Sequence, residues 1–299
     1  MTKNLTEILE SFTELEVLVL GEAMLDTYLD GSAGRLCREA PVPVVDVTRR
    51  TDTPGGAANA AANVAALRGR ARLVSVVGDD EAGAHVRREL ESRGVDCSAV
   101  TTSVSRRTIR KSRVSAASQI LVRFDEGTIG HVDRRTEAAM LDALRDAYAS
   151  ADAVIVSDYG YGVVTPSVVA TLTELQAVAP RVLVVDSRHL AGYTRIGATA
   201  VKPNYEEAMA LLGAPSPVED VDRGEWISAH AGPILEATGA EIAAVTLDTA
   251  GAVVLEHDRA PYRTYADPVV ESRATGAGDT FGAALALALA GGAHTPAAA

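Results

Sequence analysis

The sequence predicts an α/β fold in which helices cover both faces of a parallel sheet, with a small antiparallel sheet set on the main domain. From Asp133 onward, short apolar strands alternate regularly with helices. Strands made of a few consecutive apolar residues are typical of a parallel sheet that is buried on both faces. Two earlier stretches, 42–48 and 108–124, instead alternate apolar and polar residues, so each has one face exposed to water. We interpret these stretches as strands of a lid.

The first half of the chain begins with an apolar strand over Glu16–Gly21, followed by a polar turn that contains Glu22 and Asp26. Pro41 and Pro43 stand beside the alternating Val42–Thr48, which favours an edge strand. The remaining elements predicted here are a helix from Pro54 to about Leu67, a strand over Arg72–Val77, a helix over Glu81–Arg93 closed by Gly94, and strands over Thr108–Val114 and Gln119–Phe124.

The second half carries the regular alternation. Its predicted elements are helix Arg134–Ala149, strand Ala153–Ser157, helix Thr165–Val178, strand Arg181–Val185, strand Ala200–Val201, helix Tyr205–Leu212, helix Glu225–Thr238, strand Ile242–Leu247 and a buried helix over Phe281–Ala290. The chain contains no repeat and no long low-complexity linker. We therefore expect one domain over residues 1–299, with lid strands contributed by about 36–50 and 106–125.

Composition excludes several classes of protein. A formal net charge of −12 argues against nucleic acid or an acidic membrane as the main partner. No apolar run reaches the ~18 residues of a membrane span. The two cysteines, Cys37 and Cys97, form no disulfide framework, and the polar N-terminus has no signal-peptide core. We expect a cytoplasmic protein without a nucleic-acid or membrane partner.

The turn Thr275-Gly276-Ala277-Gly278-Asp279 precedes the last long apolar run. Thr275 is a candidate helix cap, and bare backbone at a helix N-terminus leaves N–H groups that can bind an anion. A carboxylate there repels an anion but can take a proton from an attacking hydroxyl, as in phosphoryl transfer from ATP to an alcohol. The alternative is a structural turn before a core helix. A dinucleotide loop fits poorly, because the third glycine falls one position late.

A second glycine turn, Gly55-Gly56, precedes Asn59 at the start of another helix. The amide of asparagine donates and accepts at once, which suits neighbouring sugar hydroxyls. Asp26 is a similar hydroxyl acceptor. The alternative interpretations are helix capping for Asn59 and a loop carboxylate for Asp26.

Asn204 and Glu207 lie three residues apart in the segment Lys202-Pro203-Asn204-Tyr205-Glu206-Glu207, so they share a face of the first helical turn. An amide and a carboxylate there can hold a hydrated Mg²⁺ through its waters. A capping box, with Asn at the N-cap and Glu three residues on, explains the pair equally well.

These three segments, GGAAN, PNYEE and TGAGDTF in this order, resemble the ribokinase-like (PfkB) family of carbohydrate kinases over essentially the whole chain. Within it, the sequence is most similar to bacterial D-glycero-D-manno-heptose 7-phosphate kinases. The stretches that carry this similarity are GEAMLDTYLDG, EAPVPVVDVTRRTDTPGGAANAAANVAAL, TIRKSRVSAASQILVRFDEG and VIVSDYGYGVV.

The resemblance implies a three-layer α/β/α sandwich with a β-clasp lid, dimers formed through the lid, ATP as donor and Mg²⁺. Asp279 would be the general base, and the backbone of Gly276, Ala277 and Gly278 would stabilise the transferred phosphoryl group. The other implied roles are sugar binding by Asp26, Gly55, Gly56 and Asn59, metal organisation by Asn204 and Glu207, and nucleotide binding by Asn204, Thr246, Gly251 and Thr275. Asp248 replaces the middle glycine of the family's T-L-G-x-x-G loop.

Three cations on the predicted lid strands bear on the substrate. Lys111 and Arg113 are two residues apart in a strand, so they point to one face, and Arg123 is on the next strand. Together they could clamp the phosphate of a sugar phosphate. The alternative is an edge strand made unattractive to other strands by its charges.

Departures from the family pattern bear on cofactors. Arg273 stands where many members carry an aspartate that helps to hold a monovalent cation, so we expect Arg273 to replace K⁺ and activity to be independent of it. Strong activation when K⁺ is compared with Na⁺ or tetramethylammonium would refute this. Tyr161 stands where the heptose kinases usually have lysine, and Arg188 could compensate. Relatives continue beyond the position of Ala299, so either the chain is cut short or the adenine site is partly open.

The leading hypothesis is an ATP-dependent sugar kinase acting on the anomeric hydroxyl of a heptose 7-phosphate. Two alternatives remain. One is a kinase for an unphosphorylated sugar or a nucleoside. The other is a catalytically weak sugar-binding homologue, which Arg273 and Tyr161 would favour and Asp279 would not.

Overall fold

The computed structural model describes residues 4–117, 119–214, 222–266 and 276–299. The strands in these ranges are β1 (Glu16–Gly21), β2 (Ala23–Leu36), β3 (Pro43–Gly56), β4 (Arg70–Gly78), β5 (Val100–Ser103), β6 (Ile109–Ala116), β7 (Gln119–Glu126), β8 (Ala153–Asp158), β9 (Val182–Ser187), β10 (Ala200–Val201), β11 (Ile242–Thr246), β12 (Ala252–Glu256) and β13 (Tyr262–Thr264).

The α-helices of the same ranges surround this framework. They are α1 (Leu5–Ser11), α2 (Ala57–Ala66), α3 (Glu81–Ser92), α4 (Arg134–Ser150), α5 (Pro166–Val178), α6 (Tyr205–Leu211), α7 (Arg223–Ala229), α8 (Ala231–Thr238), α9 (Ala277–Ala290) and α10 (Thr295–Ala298). None of them is at once long and apolar enough to cross a lipid bilayer.

Nine strands of the described residues form one mixed sheet in the order β13-β12-β11-β10-β9-β8-β1-β4-β5. The strands from β5 to β11 pair in parallel, whereas β12 and β13 run antiparallel at one edge. The carboxyl ends of the parallel strands therefore meet along one edge of the sheet, which is where ligands bind in open α/β folds.

Helices bury both faces of this sheet, as the apolar strands predict. Val17 and Val19 of β1 face a core formed with α2, α3 and α9, while Leu18 and Leu20 face a core formed with α4, α5 and α8. All four side chains are buried. The alternation along a single strand thus joins two hydrophobic layers, which is the physical basis of the three-layer arrangement.

The lid is a separate antiparallel and parallel sheet with the order β3-β2-β6-β7. The prediction of a polar turn that contains Glu22 and Asp26 is wrong for Asp26, because the 14-residue strand β2 begins at Ala23, directly after Glu22. The pattern was misleading because Asp26 and Thr27 are buried polar residues. Each has a partner on a neighbouring lid strand, namely Arg113 and Asp52, that sequence spacing does not reveal.

Other differences from the predicted elements have local causes. The helix predicted over Glu225–Thr238 is two helices, α7 and α8, that meet at His230. Pro233 has no N–H to donate to the carbonyl of Ala229, so one continuous helix would lose that hydrogen bond. The short elements α1, β5, β12 and β13 were not predicted.

Candidate active site

Asp279 lies in the first turn of α9 and is buried. The side-chain amide of Asn59 donates to its Oδ2 at 2.7 Å, and the hydroxyl of Tyr159 donates to its Oδ1 at 3.1 Å. Burial raises the pKa of the Asp279 carboxyl to about 6, and the two hydrogen bonds limit that rise. A carboxyl with a pKa near 6 is mainly ionised at neutral pH yet basic enough to accept a proton.

The turn before Asp279 has a conformation that requires glycine. Gly276, the N-cap of α9, has φ +92°, and a Cβ there would lie 2.7 Å from the amide nitrogen of Asn59. A Cβ on Gly278 would lie 3.1 Å from the Nζ of Lys202. The first N–H groups of α9 have no partner within the helix, so together with the helix dipole they favour an anion at this point.

Asn59 and the Gly55–Gly56 turn form the opposite wall. Asn59 is in the first turn of α2, which begins where β3 ends at Gly56. A Cβ on Gly55 would lie 2.4 Å from Oδ2 of Asp26, so this glycine lets the Asp26 carboxylate approach the backbone. Gly56 has φ +58° and admits the turn from strand to helix.

Asp26 and the lid cations lie close together. Arg113 donates to Oδ1 of Asp26 at 2.7 Å, and both side chains are buried. Lys111 is also buried, but no carboxylate of the described residues lies within 4 Å of its amine. Its Nζ instead lies 5.2 Å and 5.0 Å from the ring centres of Tyr159 and Tyr161.

Arg123 contributes less directly. It pairs opposite Arg113 in the lid, so the two side chains share a face, but it is exposed and makes two hydrogen bonds to Asp125. The Asp125 carboxylate raises the pKa of Arg123. Arg113 and Arg123 are paired with carboxylates, whereas Lys111 is a buried cation with no carboxylate of the described residues within 4 Å. Of the three predicted lid cations, Lys111 would therefore be stabilised most by a bound anion.

Two cavities meet at Asp279. The first, with an empty volume of about 490 Å³, extends under the lid and is lined by residues that include Asp26, Asn59, Lys111 and Arg113. The second, of about 630 Å³, runs along the carboxyl ends of the strands and contains Asp186, Arg188, Lys202 and Asn204. Tyr159, Gly276 and Asp279 line both. The two cavities are thus joined at one carboxylate.

Lys202, to which the sequence analysis gave no role, lies in the second cavity. It is buried, and its Nζ forms an ion pair of 3.0 Å with Asp186 at the end of β9. Although burial opposes the charged form, the Asp186 carboxylate raises the pKa of Lys202, so the amine is protonated. The rule that ligands gather at the carboxyl ends of parallel strands was the available signal for Asp158, Asp186 and Lys202.

Asn204 and Glu207 form the capping box that was the alternative interpretation. Oδ1 of Asn204 accepts from the N–H of Glu207 at 2.8 Å, and Oε2 of Glu207 accepts from the N–H of Asn204 at 2.9 Å. Both side chains also line the second cavity, where burial raises the pKa of Glu207. The capping role leaves Oε1 of Glu207 for a ligand.

Asn204, Glu207 and the nearby Asp186 are better suited to bind Mg²⁺ through its water molecules than to coordinate it directly. Among the described residues, no group of three or more His, Cys, Asp or Glu could enclose a metal ion. Asp186 and Glu207 nevertheless face one cavity, and oxygen ligands used through water suit the strongly hydrated Mg²⁺.

The predicted nucleotide loop is only partly accounted for. Asn204 pairs with Thr246 in an isolated bridge, and Gly251 has φ +86° beside the carbonyl of Thr264. Neither Thr246 nor Gly251 lines the two cavities. Asp248, which replaces a glycine of the family pattern, has φ +53°, a conformation that glycine adopts more readily. The predicted residues Arg273 and Thr275 lie outside the described residues.

Arg188 is the residue that could compensate for the lysine replaced by Tyr161. It lines the second cavity, and its guanidinium lies 5.8 Å from the ring centre of Tyr159. Tyr161 instead faces Lys111. Like Thr246 and Gly251, the predicted site residues Gly55, Arg123 and Ala277 line neither cavity. Gly55 and Ala277 nevertheless belong to the turns that form the walls.

Comparison with known proteins agrees with this architecture. A profile described as pfkB family carbohydrate kinase matches residues 14–299, so the chain belongs to that family. Among solved structures, phosphofructokinase-2 from Escherichia coli in complex with substrates and products has a TM-score of 0.75 at 21% identity, covering 94% of this chain and 88% of that one. Ribokinase from Cryptococcus neoformans var. grubii in complex with ADP has a TM-score of 0.71 at 23% identity, covering 95% and 90%. The predicted ribokinase-like α/β fold is confirmed.

The more similar relatives carry one name. The chain is 37% identical over 297 residues to the bifunctional protein HldE of Caulobacter sp. (strain K31), covering 98% of this chain and 59% of the relative. It is 37% identical over 291 residues to the bifunctional protein HldE of Mesorhizobium japonicum, covering 96% and 57%. The chain therefore spans less than two thirds of the length of these relatives.

Proposed function

We propose that this chain transfers the terminal phosphoryl group of ATP to the anomeric hydroxyl of a heptose 7-phosphate, giving a sugar bisphosphate and ADP. The observation that carries the proposal is the position of Asp279, which lies where the two cavities meet, at the start of α9. Membership of a carbohydrate kinase family and the similarity to HldE proteins support it.

The first cavity suits the acceptor sugar. Asp26 and Asn59 offer a carboxylate and an amide to sugar hydroxyls, and Lys111 offers a buried cation to a phosphate. An attacking hydroxyl next to Asp279 would give its proton to this carboxylate as the bond to phosphorus forms. A phosphate on the sugar would stabilise the buried charge of Lys111, which favours a sugar phosphate over a neutral sugar as the substrate.

The second cavity suits the phosphates of the donor. Lys202 and Arg188 supply positive charge, and the N–H groups at the start of α9 would stabilise the charge that develops on the transferred phosphoryl group. Asn204 and Glu207 would hold Mg²⁺ through its waters. Mg²⁺ supplies neutralisation of the phosphate oxygens when bound. We further propose that K⁺ is not required.

The lid is also the proposed dimer contact. On β7, Val122 and Phe124 alternate with Arg123, so they point away from the sugar cavity, and they are 51% and 44% exposed. Burying these apolar side chains against a second copy would remove them from water. Sedimentation equilibrium tests this: we expect twice the mass of the chain, and a monomer at micromolar concentration would contradict it.

A coupled assay of ADP release tests the proposed reaction. Wild-type protein would be given ATP and Mg²⁺ with D-glycero-D-manno-heptose 7-phosphate, fructose 6-phosphate, ribose or adenosine, and ³¹P NMR would show whether the product carries an anomeric phosphate. We expect heptose 7-phosphate to give the highest kcat/KM. Asp279→Asn should lower kcat about 10²–10⁴-fold because it removes the general base.

The matched control is Asp142→Asn, since Asp142 is an exposed carboxylate on α4 that pairs only with Arg145 in the described part of the chain. It should keep the wild-type rate. Equal rates for Asp279→Asn and wild type would remove the base assignment. A preference for a neutral sugar would favour the other kinase hypothesis, which has support because Arg113 and Arg123 are already paired with carboxylates.

A further inference from the structure

Tyr159 lies between the two cavities and lines both of them. It follows β8 directly, at the carboxyl edge of the sheet. Its backbone N–H donates to Oε2 of Glu22 at 2.7 Å, and the N–H of the next residue, Gly160, donates to Oδ1 of Asp158 at 2.9 Å. Two buried carboxylates thus hold the backbone of Tyr159 and of the residue that follows it.

The anchoring extends through the whole loop. Glu22 is 1% exposed and also accepts from the N–H groups of Tyr161 and Val163, each at 3.2 Å. From the other side, the guanidinium of Arg106 donates to the carbonyl of Tyr161 at 3.0 Å. Hydrogen bonds from buried side chains that hold a backbone segment at several points restrict its freedom, and with it the freedom of Tyr159.

The hydroxyl of Tyr159 and the amide of Asn59 each donate to a different oxygen of Asp279, at 3.1 Å and 2.7 Å. Burial, followed by the nearby carboxylate of Asp279, raises the pKa of the Tyr159 phenol above its ordinary value. The phenol therefore stays protonated and serves the carboxylate as a donor. Two fixed donors define the plane of the Asp279 carboxylate.

The ring of Tyr159 also separates two cations. Nζ of Lys111, in the first cavity, lies 5.2 Å from the ring centre, and the guanidinium carbon of Arg188, in the second cavity, lies 5.8 Å from it. Both distances are within the range of cation–π attraction. One aromatic ring thus holds one cation for each of the two substrate cavities.

We propose that Tyr159 is the positioning residue for the Asp279 base: its hydroxyl orients the carboxylate, while its ring holds Lys111 in the first cavity and Arg188 in the second. This inference rests on the proposed kinase function. Tyr159 acts through Asp279 and the two cations.

Other groups also face Asp279, and they act in both directions on its pKa. Asp186 on β9 raises it, and Lys202 after β10 lowers it. Within the described part of the chain, the remaining charged groups that line the same cavities are Asp26, Lys111 and Arg113 of the lid, Asp158 at the end of β8, and Arg188 and Glu207. Replacing Tyr159 by phenylalanine leaves all of these in place, so a change in the pKa of Asp279 reports on the hydroxyl.

Tyr159→Phe tests the role of the hydroxyl. Loss of one hydrogen bond to a charged group should lower kcat about 10-fold while the KM for the sugar stays within about 3-fold, because the contact acts on the base rather than on substrate binding. The ionised Asp279 carboxylate loses a hydrogen-bond donor, so its pKa rises. The acid limb of the pH dependence of kcat therefore moves to higher pH. Tyr159→Leu should in addition raise the KM for both the sugar phosphate and ATP, since it also removes the ring.

The matched control is Tyr148→Phe, because the hydroxyl of Tyr148 is bonded to Gln176 and Ala179 in the core, away from both cavities. It should keep the wild-type kcat and acid limb. Titration of ¹³C-labelled aspartate carboxyls, assigned with Asp279→Asn, measures the pKa of Asp279 without turnover.

The outcomes separate the two proposals. A wild-type protein that phosphorylates no sugar refutes the kinase proposal, and the titration still tests the hydroxyl. An Asp279 pKa that is unchanged in Tyr159→Phe, or an unchanged kcat and acid limb in an active enzyme, overturns the positioning role. If Leu and Phe variants have the same KM values, the ring does not hold the cations.

Discussion

Gly276→Ala should disrupt both the stability and the activity of this protein, because the residue combines a backbone constraint with a close contact at the base. Its φ is +92°, and a Cβ would lie 2.7 Å from the side-chain nitrogen of Asn59, which in turn donates to Asp279. Alanine in a left-handed conformation costs about 1–2 kcal/mol. Displacing Asn59 removes a hydrogen bond to a buried charge, worth roughly 1.5–3 kcal/mol.

Alanine also restricts the unfolded chain, which returns about 0.4–1 kcal/mol. The expected net loss in the free energy of unfolding is therefore about 2–4 kcal/mol. Urea denaturation followed by circular dichroism measures it. Because Asn59 would move away from the carboxylate, kcat should fall by about 10-fold or more.

Gly278→Ala is the matched comparison, since this glycine lies two residues away inside α9 with an ordinary helical backbone. Among the described residues, its Cβ would meet only the end of the Lys202 side chain, with Nζ at 3.1 Å and Cε at 3.9 Å. Alanine is favoured over glycine in a helix by about 1 kcal/mol, so the free energy of unfolding of Gly278→Ala should equal or exceed that of wild type. Equal stability of the two variants would refute the assigned role of the Gly276 backbone.

Two further predictions concern the substrate and the pH. Lys111→Met should raise the KM for a sugar phosphate roughly 10–100-fold, because one buried cation is lost, and should leave the KM for an unphosphorylated sugar unchanged. Steady-state kinetics with both substrates measures this. An equal change in KM for the two substrates would contradict the prediction. Burial raises the pKa of Asp279 from 3.8 to about 6, so the folded state holds a proton that the unfolded state has released. The contribution of this group to the free energy of unfolding should therefore fall as pH rises from about 4 to about 6. kcat/KM should rise over the upper part of the same interval as the base ionises, and Asp279→Asn should abolish both trends; denaturation and kinetics at several pH values test this.

Much of the candidate site was predictable because its residues stand in short motifs with a local physical meaning. Asp279 after two glycines at a helix start, Asn59 after Gly55-Gly56, and Asn204 three residues before Glu207 are patterns of turns and caps. Their relation to one another was predictable only through the family resemblance, since Asn59 and Asp279 are 220 positions apart and yet share a hydrogen bond.

The partners of the lid residues were not predictable in this way. The local pattern offered Arg113 as a phosphate clamp and Asp26 as a turn carboxylate, but the parallel pairing of β2 with β6 makes them an ion pair. The roles of Lys202 and Tyr159 were not predictable, because a single lysine or tyrosine after a strand has no distinctive spacing. Their significance arises from the sheet edge that gathers the ends of β8, β9 and β10.

The layered α/β fold, the glycine turns and the acidic residue at the start of α9 follow from local sequence, because burial periodicity and turn chemistry act over a few neighbouring residues. The pairing of the polar groups, in contrast, depends on how the chain folds in three dimensions. Hydrogen bonds and ion pairs form between side chains that the sheet order brings together. For Asp279, the hydrogen bonds come from Asn59 and Tyr159, and the electrostatic effects come from Asp186 and Lys202. The protonation of the Asp279 carboxyl, and thus its capacity to act as a base, is a property of that assembled environment.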